Sequence, residues 1–175
     1  RIKQLADKYN LAIVEDAAHA LGATYNDGSK VGNCQYSDMT ILSFHPVKGI
    51  AAGEGGMVIT NDKSLYHKLT LLRSHGITKG NFEFPGISKP DNFLINKNEA
   101  LENGELKCWY YEMQYLGYNY RITDIQCALA TSQMNKIDLF LDARKSMAKY
   151  YDQAFSGVQN IAPLQMHGRD NSSHH

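Results

Sequence analysis

The stretch TILSFHPVKGIAAGEGGMVIT, residues 40–60, decides the fold. Thr40-Ile41-Leu42-Ser43-Phe44 and Gly56-Met57-Val58-Ile59-Thr60 are short runs without charge, rich in β-branched and large apolar residues. Such runs are too short for helices and predict strands inside a layered fold. Between them Pro46 fixes the backbone before Lys48 and Gly49 lets it turn afterwards. A lysine held against low-dielectric walls gives up its proton more readily and can attack a carbonyl or aldehyde. The plain alternative is a solvated loop lysine. Gly53-Glu54-Gly55-Gly56 is either a nest for a phosphate or a turn into the next strand.

Toward the N-terminus, Leu11-Ala12-Ile13-Val14 is another continuous apolar run, predicted as a buried parallel strand with Asp16 just past its end. Ligands of α/β proteins bind where parallel strands open at their C-terminal ends. A carboxylate there, flanked by Ala17 and Ala18, has few neighbours to neutralise it and wants a cationic partner; the alternative is a helix N-cap. Ile2, Leu5, Ala6 and Tyr9 fall on one helical face, and Asn10 tolerates the left-handed conformation that ends a helix. Tyr25 to Gly32 carries the Asp-Gly signal of a small hairpin.

Toward the C-terminus, Asn61 or Asp62 caps a helix through Leu65, Leu69 and Leu72 that Gly76 stops. Residues 77–107 keep no period and read as one irregular loop. Thr123-x-x-Gln126 is a capping box opening a long helix through Ile125, Leu129, Ile137 and Leu141. Tyr110, Tyr111, Tyr115, Tyr118 and Tyr120 cluster without matching cations, which suits packing or an oligomer interface better than single-stranded nucleic acid. Alternation of helix and short apolar strand predicts α/β layers.

Composition narrows the function classes. The 175 residues are 43% hydrophobic and 21% charged, enough apolar surface to fold. Eighteen basic residues balance eighteen acidic ones, so nothing in the bulk charge favours nucleic acid or anionic lipid. No apolar run approaches the roughly 20 residues of a membrane helix. Cys34, Cys108 and Cys127 are scattered and never spaced as CxxC, which suits a reducing cytoplasm. His45, His67, His75 and His167 lack metal-ligand spacing, so no metal site is expected. Arg1 opens directly into helical spacing and the polar end Asn171–His175 stops without a closing element, the pattern of a segment; a terminal His pair is also what a purification tag leaves.

Four strings, VEDAAHALGA (14–23), SFHPVKGIAAGEGGMVITND (43–62), RSHGI (73–77) and LGYNYRITDIQCALA (116–130), occur in an order that resembles the DegT/DnrJ/EryC1/StrS family of pyridoxal-phosphate sugar aminotransferases. The resemblance, running from Arg1 to about Arg144, implies part of the large cofactor-binding domain of the aspartate aminotransferase-like (type I) fold, in α/β/α layers. Residues 1–155 would be the C-terminal part of that domain, and 156–175 the start of a link to a small domain. It implies that Lys48 bonds pyridoxal 5'-phosphate and then moves the substrate proton, and that Asp16 pairs with the pyridinium nitrogen. His19 stands where most relatives carry Gln, beside the ring's 3-oxygen. Ser43 would hold the cofactor phosphate, and Asn119 would reach the phosphate of the neighbouring subunit in a homodimer. The substrates implied are an amino acid, glutamate, and a nucleotide-linked sugar; His19 and the SFHPVK string point to the branch that aminates C4 of a UDP-linked 4-keto-6-deoxy sugar. Relatives that replace the lysine by histidine dehydrate instead, and a non-catalytic binding relative is the other alternative; Lys48 favours transamination. The family's glycine-rich phosphate loop and stacking aromatic ring are expected outside these residues, so the segment alone is expected not to turn over substrate.

Overall fold

The computed structural model describes residues 1–78, 101–103, 105–164 and 168–175. These fall into two compact units, one of residues 1–61 and 122–175, the other of residues 62–121.

The first unit is built on three strands in the order β1-β2-β3: β1 (Val14–Asp16), β2 (Met39–Ser43) and β3 (Gly56–Ile59). β1 runs parallel to β2 with Asp16 opposite Ile41, and β3 returns antiparallel with Gly56 opposite Ser43. Side chains alternate across a strand, so Thr40 and Leu42 face the core while Ile41 stays exposed. The core gathers Ala17, Leu42, Phe44, Ile50 and Ala52. Against it pack Ala130 of α3 (Asp124–Met134) and Ile137 and Phe140 of α4 (Ile137–Phe155).

Local signals hold where they were strongest. Helix α1 (Ile2–Tyr9) ends on Asn10 at φ 51°. The hairpin forms, with Thr24 bridging Lys30 and Tyr25 N–H donating to Ser29 O at 2.8 Å. The capping box at Thr123 and Gln126 is complete.

Two expectations need correction. The first strand begins at Val14, three residues later than predicted, and Asp16 is its last residue. Residues 11–13 miss the ladder because Ile13 is tied to Asp38: its N–H donates to the Asp38 carboxylate at 2.6 Å, and its carbonyl accepts from Asp38 N–H at 2.9 Å. The long helix is two, since Lys136 leaves the helical region at φ −113°, ψ 8° and α4 restarts behind it.

The second unit holds α2 (Lys63–Arg73), capped by the Asp62 carboxylate on Leu65 N–H at 2.8 Å. The helix stops at Arg73, ahead of the predicted Gly76, which lies at φ 64° within a turn against Tyr115 O. Short ladders pair β4 (Ile77–Thr78) with β7 (Glu112–Met113) and β5 (Leu101–Glu102) with β6 (Glu105–Leu106). The expected 77–107 loop lies mostly outside the described residues. Among the tyrosines Tyr110 is buried, while Tyr111, Tyr118 and Tyr120 are exposed. Among the described residues no helix is long and apolar enough to cross a membrane, and the three cysteines are free.

Candidate active site

β2 ends at Ser43 and the chain enters the loop that carries Lys48. Phe44 closes this loop from both sides: its N–H donates to Gly55 O at 2.8 Å and its carbonyl accepts from Ala52 N–H at 2.9 Å. Inside, Lys48 N–H donates to His45 O at 2.9 Å and Val47 N–H to His45 Nδ1 at 3.3 Å, a turn that suits Pro46. Helix α3 fastens the loop at two points. Gln133 Oε1 accepts from Ala51 N–H at 2.9 Å, and Gln126 Nε2 donates to Glu54 O at 3.0 Å. Gln126 therefore caps its own helix through Oε1 and anchors the lysine loop through Nε2. Gly55, at φ 135°, has a backbone that would strain any side chain, and a Cβ there would press on Ile122 Cδ1 at 2.7 Å.

At the sheet's end a recess of about 210 Å³, open to solvent, is lined by His19, Ser43, Lys48, Gly49, Arg144, Ser173 and His175 among others. Three of the expected site residues (His19, Ser43 and Lys48) thus share one wall system. Asp16 does not line it, although Ala18, two residues on, does. The parallel register still puts Asp16, Ile41 and Ser43 on one face at the same end of the sheet. No helix follows Asp16, so it is no helix cap; Oδ1 accepts Ala18 N–H at 3.1 Å, and among the described residues Oδ2 has no partner. Lys48 is half-buried, and among the described residues its side chain has no hydrogen bond or ion pair.

The opposite face is closed. Thr40, fully buried, donates to Glu15 Oε2 at 2.8 Å, and Tyr25 OH donates to the other Glu15 oxygen. Burial first, and then that bond, push the Tyr25 phenol well above its usual range.

Asn119 lies in the second unit. It bridges Ser74 and turns its Oδ1 onto Arg121 N–H at 3.1 Å.

Sequence reasoning missed Arg144 and the C-terminal residues. Ser173 Oγ donates to His19 O at 2.8 Å, and the His175 ring lies parallel on the His19 ring, centroids 4.0 Å apart and 4° between planes. Burial, followed by His19, Lys48 and Arg144, lowers the His175 pKa. No sequence spacing links residue 19 to residue 175, and Arg144 entered only as the end of the stretch that resembles the family. Among the described residues no three His, Cys, Asp or Glu side chains are grouped to hold a metal.

Known proteins resemble this chain in sequence and fold. The chain is 37% identical over 174 residues to the UDP-4-amino-4,6-dideoxy-N-acetyl-beta-L-altrosamine transaminase of Campylobacter jejuni, covering 99% of itself and 39% of that protein. Among solved structures it matches Helicobacter pylori PseC, an aminotransferase of pseudaminic acid biosynthesis, with a TM-score of 0.75 and 31% identity over 99% of this chain and 39% of that one. It also matches the E. coli GDP-4-keto-6-deoxy-D-mannose-3-dehydratase with bound hydrated PLP, at a TM-score of 0.74 and 25% identity over 98% of this chain and 40% of that one. The chain thus spans about two-fifths of the length of the relatives it matches. Its α/β fold is that of part of these enzymes. The family model for DegT/DnrJ/EryC1/StrS aminotransferases matches residues 1–175 throughout, and the chain belongs to that family.

Proposed function

We propose that these residues form part of a pyridoxal-phosphate enzyme that moves the amino group of glutamate onto C4 of a UDP-linked 4-keto-6-deoxy sugar. The observation that carries this is Lys48: a half-buried amine whose side chain has no partner among the described residues, in a recess shared with Ser43 and His19, at the sheet end where one Asp16 carboxylate oxygen likewise has none among them. That donor set fits pyridoxal phosphate, which needs an amine for its aldehyde, a hydroxyl for its phosphate and an anion for its ring nitrogen. When bound, the group supplies an electron sink for the bond broken at the substrate carbon.

The protein's own residues do the rest. Lys48 Nζ would be the amine that takes the cofactor's aldehyde and the base that moves the substrate proton. Asp16 keeps the ring nitrogen protonated, because an anion beside it favours the charged form. His19 would hold the ring's 3-oxygen and Ser43 the phosphate. Asn119 serves the phosphate of a second subunit, making the working unit a homodimer. Free cysteines agree with a cytoplasmic enzyme. The 175 residues alone are expected not to turn over substrate, since they span 39% of the relatives' length. The dehydratase alternative has the likeness to the E. coli enzyme behind it; Lys48, where dehydrating relatives carry histidine, weighs against it.

The test uses the full-length protein. Added pyridoxal phosphate should give a yellow absorbance band that glutamate bleaches, and borohydride reduction should leave the cofactor's mass on the peptide containing Lys48. Lys48→Ala should do neither. A wild-type protein with no adduct on Lys48 refutes the proposal, and a band that glutamate leaves intact refutes the amino donor.

A further inference from the structure

Arg144 has no role in the site described so far. It sits on α4, half-buried, and reaches the recess that Lys48 occupies. Its Nη1 comes within 3.3 Å of where a Cβ on Gly49 would stand, so the absence of a side chain there admits the guanidinium over the backbone next to Lys48. Among the described residues neither the Arg144 nor the Lys48 side chain has a hydrogen bond or ion pair, and no Asp or Glu lines the recess. Two cationic side chains in one recess, with no Asp or Glu side chain among them, repel each other and keep part of the cost of leaving water. The lowered pKa of His175 reports the same field, with Lys48 and Arg144 among its causes after burial and His19.

We propose that Arg144 binds the carboxylate of the amino-acid donor. This rests on the transaminase function proposed above and names the residue that orients its first substrate. An arginine fork matches the two coplanar oxygens of a carboxylate with paired donors. The donor's α-carboxylate is bonded to the carbon whose proton Lys48 moves, so the group that grips it must stand beside Lys48. Arg144 does so, over the next residue. The other anion of the site, the cofactor phosphate, has the Ser43 hydroxyl.

Calorimetric titration of the full-length protein with glutarate, which carries the donor's carboxylates and no amine, tests this, with inorganic phosphate as the second arm. Arg144→Gln is expected to weaken glutarate about tenfold and phosphate less than about twofold. Arg144→Lys, which keeps the charge and loses the fork, is expected to recover part of the glutarate binding. Thermal melting reports whether each variant folds; if Arg144→Gln does not, a loss of about threefold for glutarate alone in Arg144→Lys carries the test. Glutarate bound equally by wild type and variant, glutarate not bound by wild type, or a loss confined to phosphate each overturn the assignment. Borohydride trapping on Lys48 in the same preparations separates the two proposals. Its absence from wild type sinks the transaminase function, whereas intact trapping with unaltered glutarate affinity sinks the role of Arg144 alone.

Discussion

The two faces of the short β1-β2 sheet end treat their polar groups in opposite ways. On the inner face Glu15 is gripped by Thr40 at 2.8 Å and by the Tyr25 hydroxyl, and Thr40 also meets Ser37 Oγ at 3.0 Å. Every group there has a protein partner, as burial demands. On the outer side Asp16 accepts one local N–H, and Lys48 and Arg144 stand in their recess without partners among the described residues. Glu15 and Asp16 are adjacent in the chain, so the contrast does not come from chain position. It lies in the partners: Glu15 ties the hairpin to β2, while among the described residues Asp16 has only the Ala18 N–H and the two cationic side chains have none. Polar groups left open at the mouth of a sheet cost stability that binding returns.

The largest expected effect breaks the outer side. Lys48→Met should lower transamination by the full-length protein roughly 10²–10⁴-fold in steady-state assays. Its melting temperature should stay level or rise, because an unpaired half-buried cation is replaced by an apolar chain of similar length. A melting point several degrees lower would mean that Lys48 is structural. Glu15→Ala should do the reverse. It strips Thr40 and Tyr25 of their common acceptor and should cost about 1–3 kcal/mol in chemical denaturation. Asp16→Asn, one residue away, should stay within about 0.5 kcal/mol by the same measure while weakening cofactor binding. Equal destabilisation by the two substitutions would erase the contrast.

Legibility in the sequence followed the range of the interactions. Asn10, the Asp-Gly turn, Asp62 and the Thr123 capping box act within a few residues, so their neighbours announced them, and each stands as expected. Lys48 could be picked out by its position after an apolar strand, Ser43 and His19 by family resemblance alone, and the three line one recess. What stayed hidden depends on distant partners. The Asp38 carboxylate diverts Ile13 across 25 residues and delays β1. Gln133 reaches Ala51 across 82, and Ser173 reaches His19 across 154. A helical period shows that a glutamine lies on a face without saying which loop that face will meet. The break at Lys136 was masked because apolar spacing continues on both sides of it.

Two pH dependences sharpen the contrast further. The Tyr25 phenol is held above its usual pKa of 10.0, chiefly by burial and then by Glu15. The unfolded chain therefore loses that proton first as pH rises. The contribution is complete below pH 10 and falls as pH climbs beyond it. Tyr25→Phe should flatten the alkaline limb of a stability–pH curve measured by urea unfolding; an unchanged limb would show that Tyr25 does not report on the inner face.

The smallest effect belongs to Asp27, at the exposed tip of the same hairpin. The Ser29 hydroxyl, the Tyr36 hydroxyl and the Ser29 N–H hold its carboxylate at about 2, below the usual 3.8. The folded state therefore keeps this group ionised to lower pH than the unfolded chain does. Its contribution is present above pH 3.8 and disappears as pH falls toward 2. Solvent screens an exposed group, so the slope is slight. Asp27→Asn should remove it from the acid limb and leave the recess untouched, with borohydride trapping on Lys48 unchanged. If trapping fell as well, the hairpin tip and the outer side would be coupled, and the division between a closed face and an open one would have to be redrawn to include the turn.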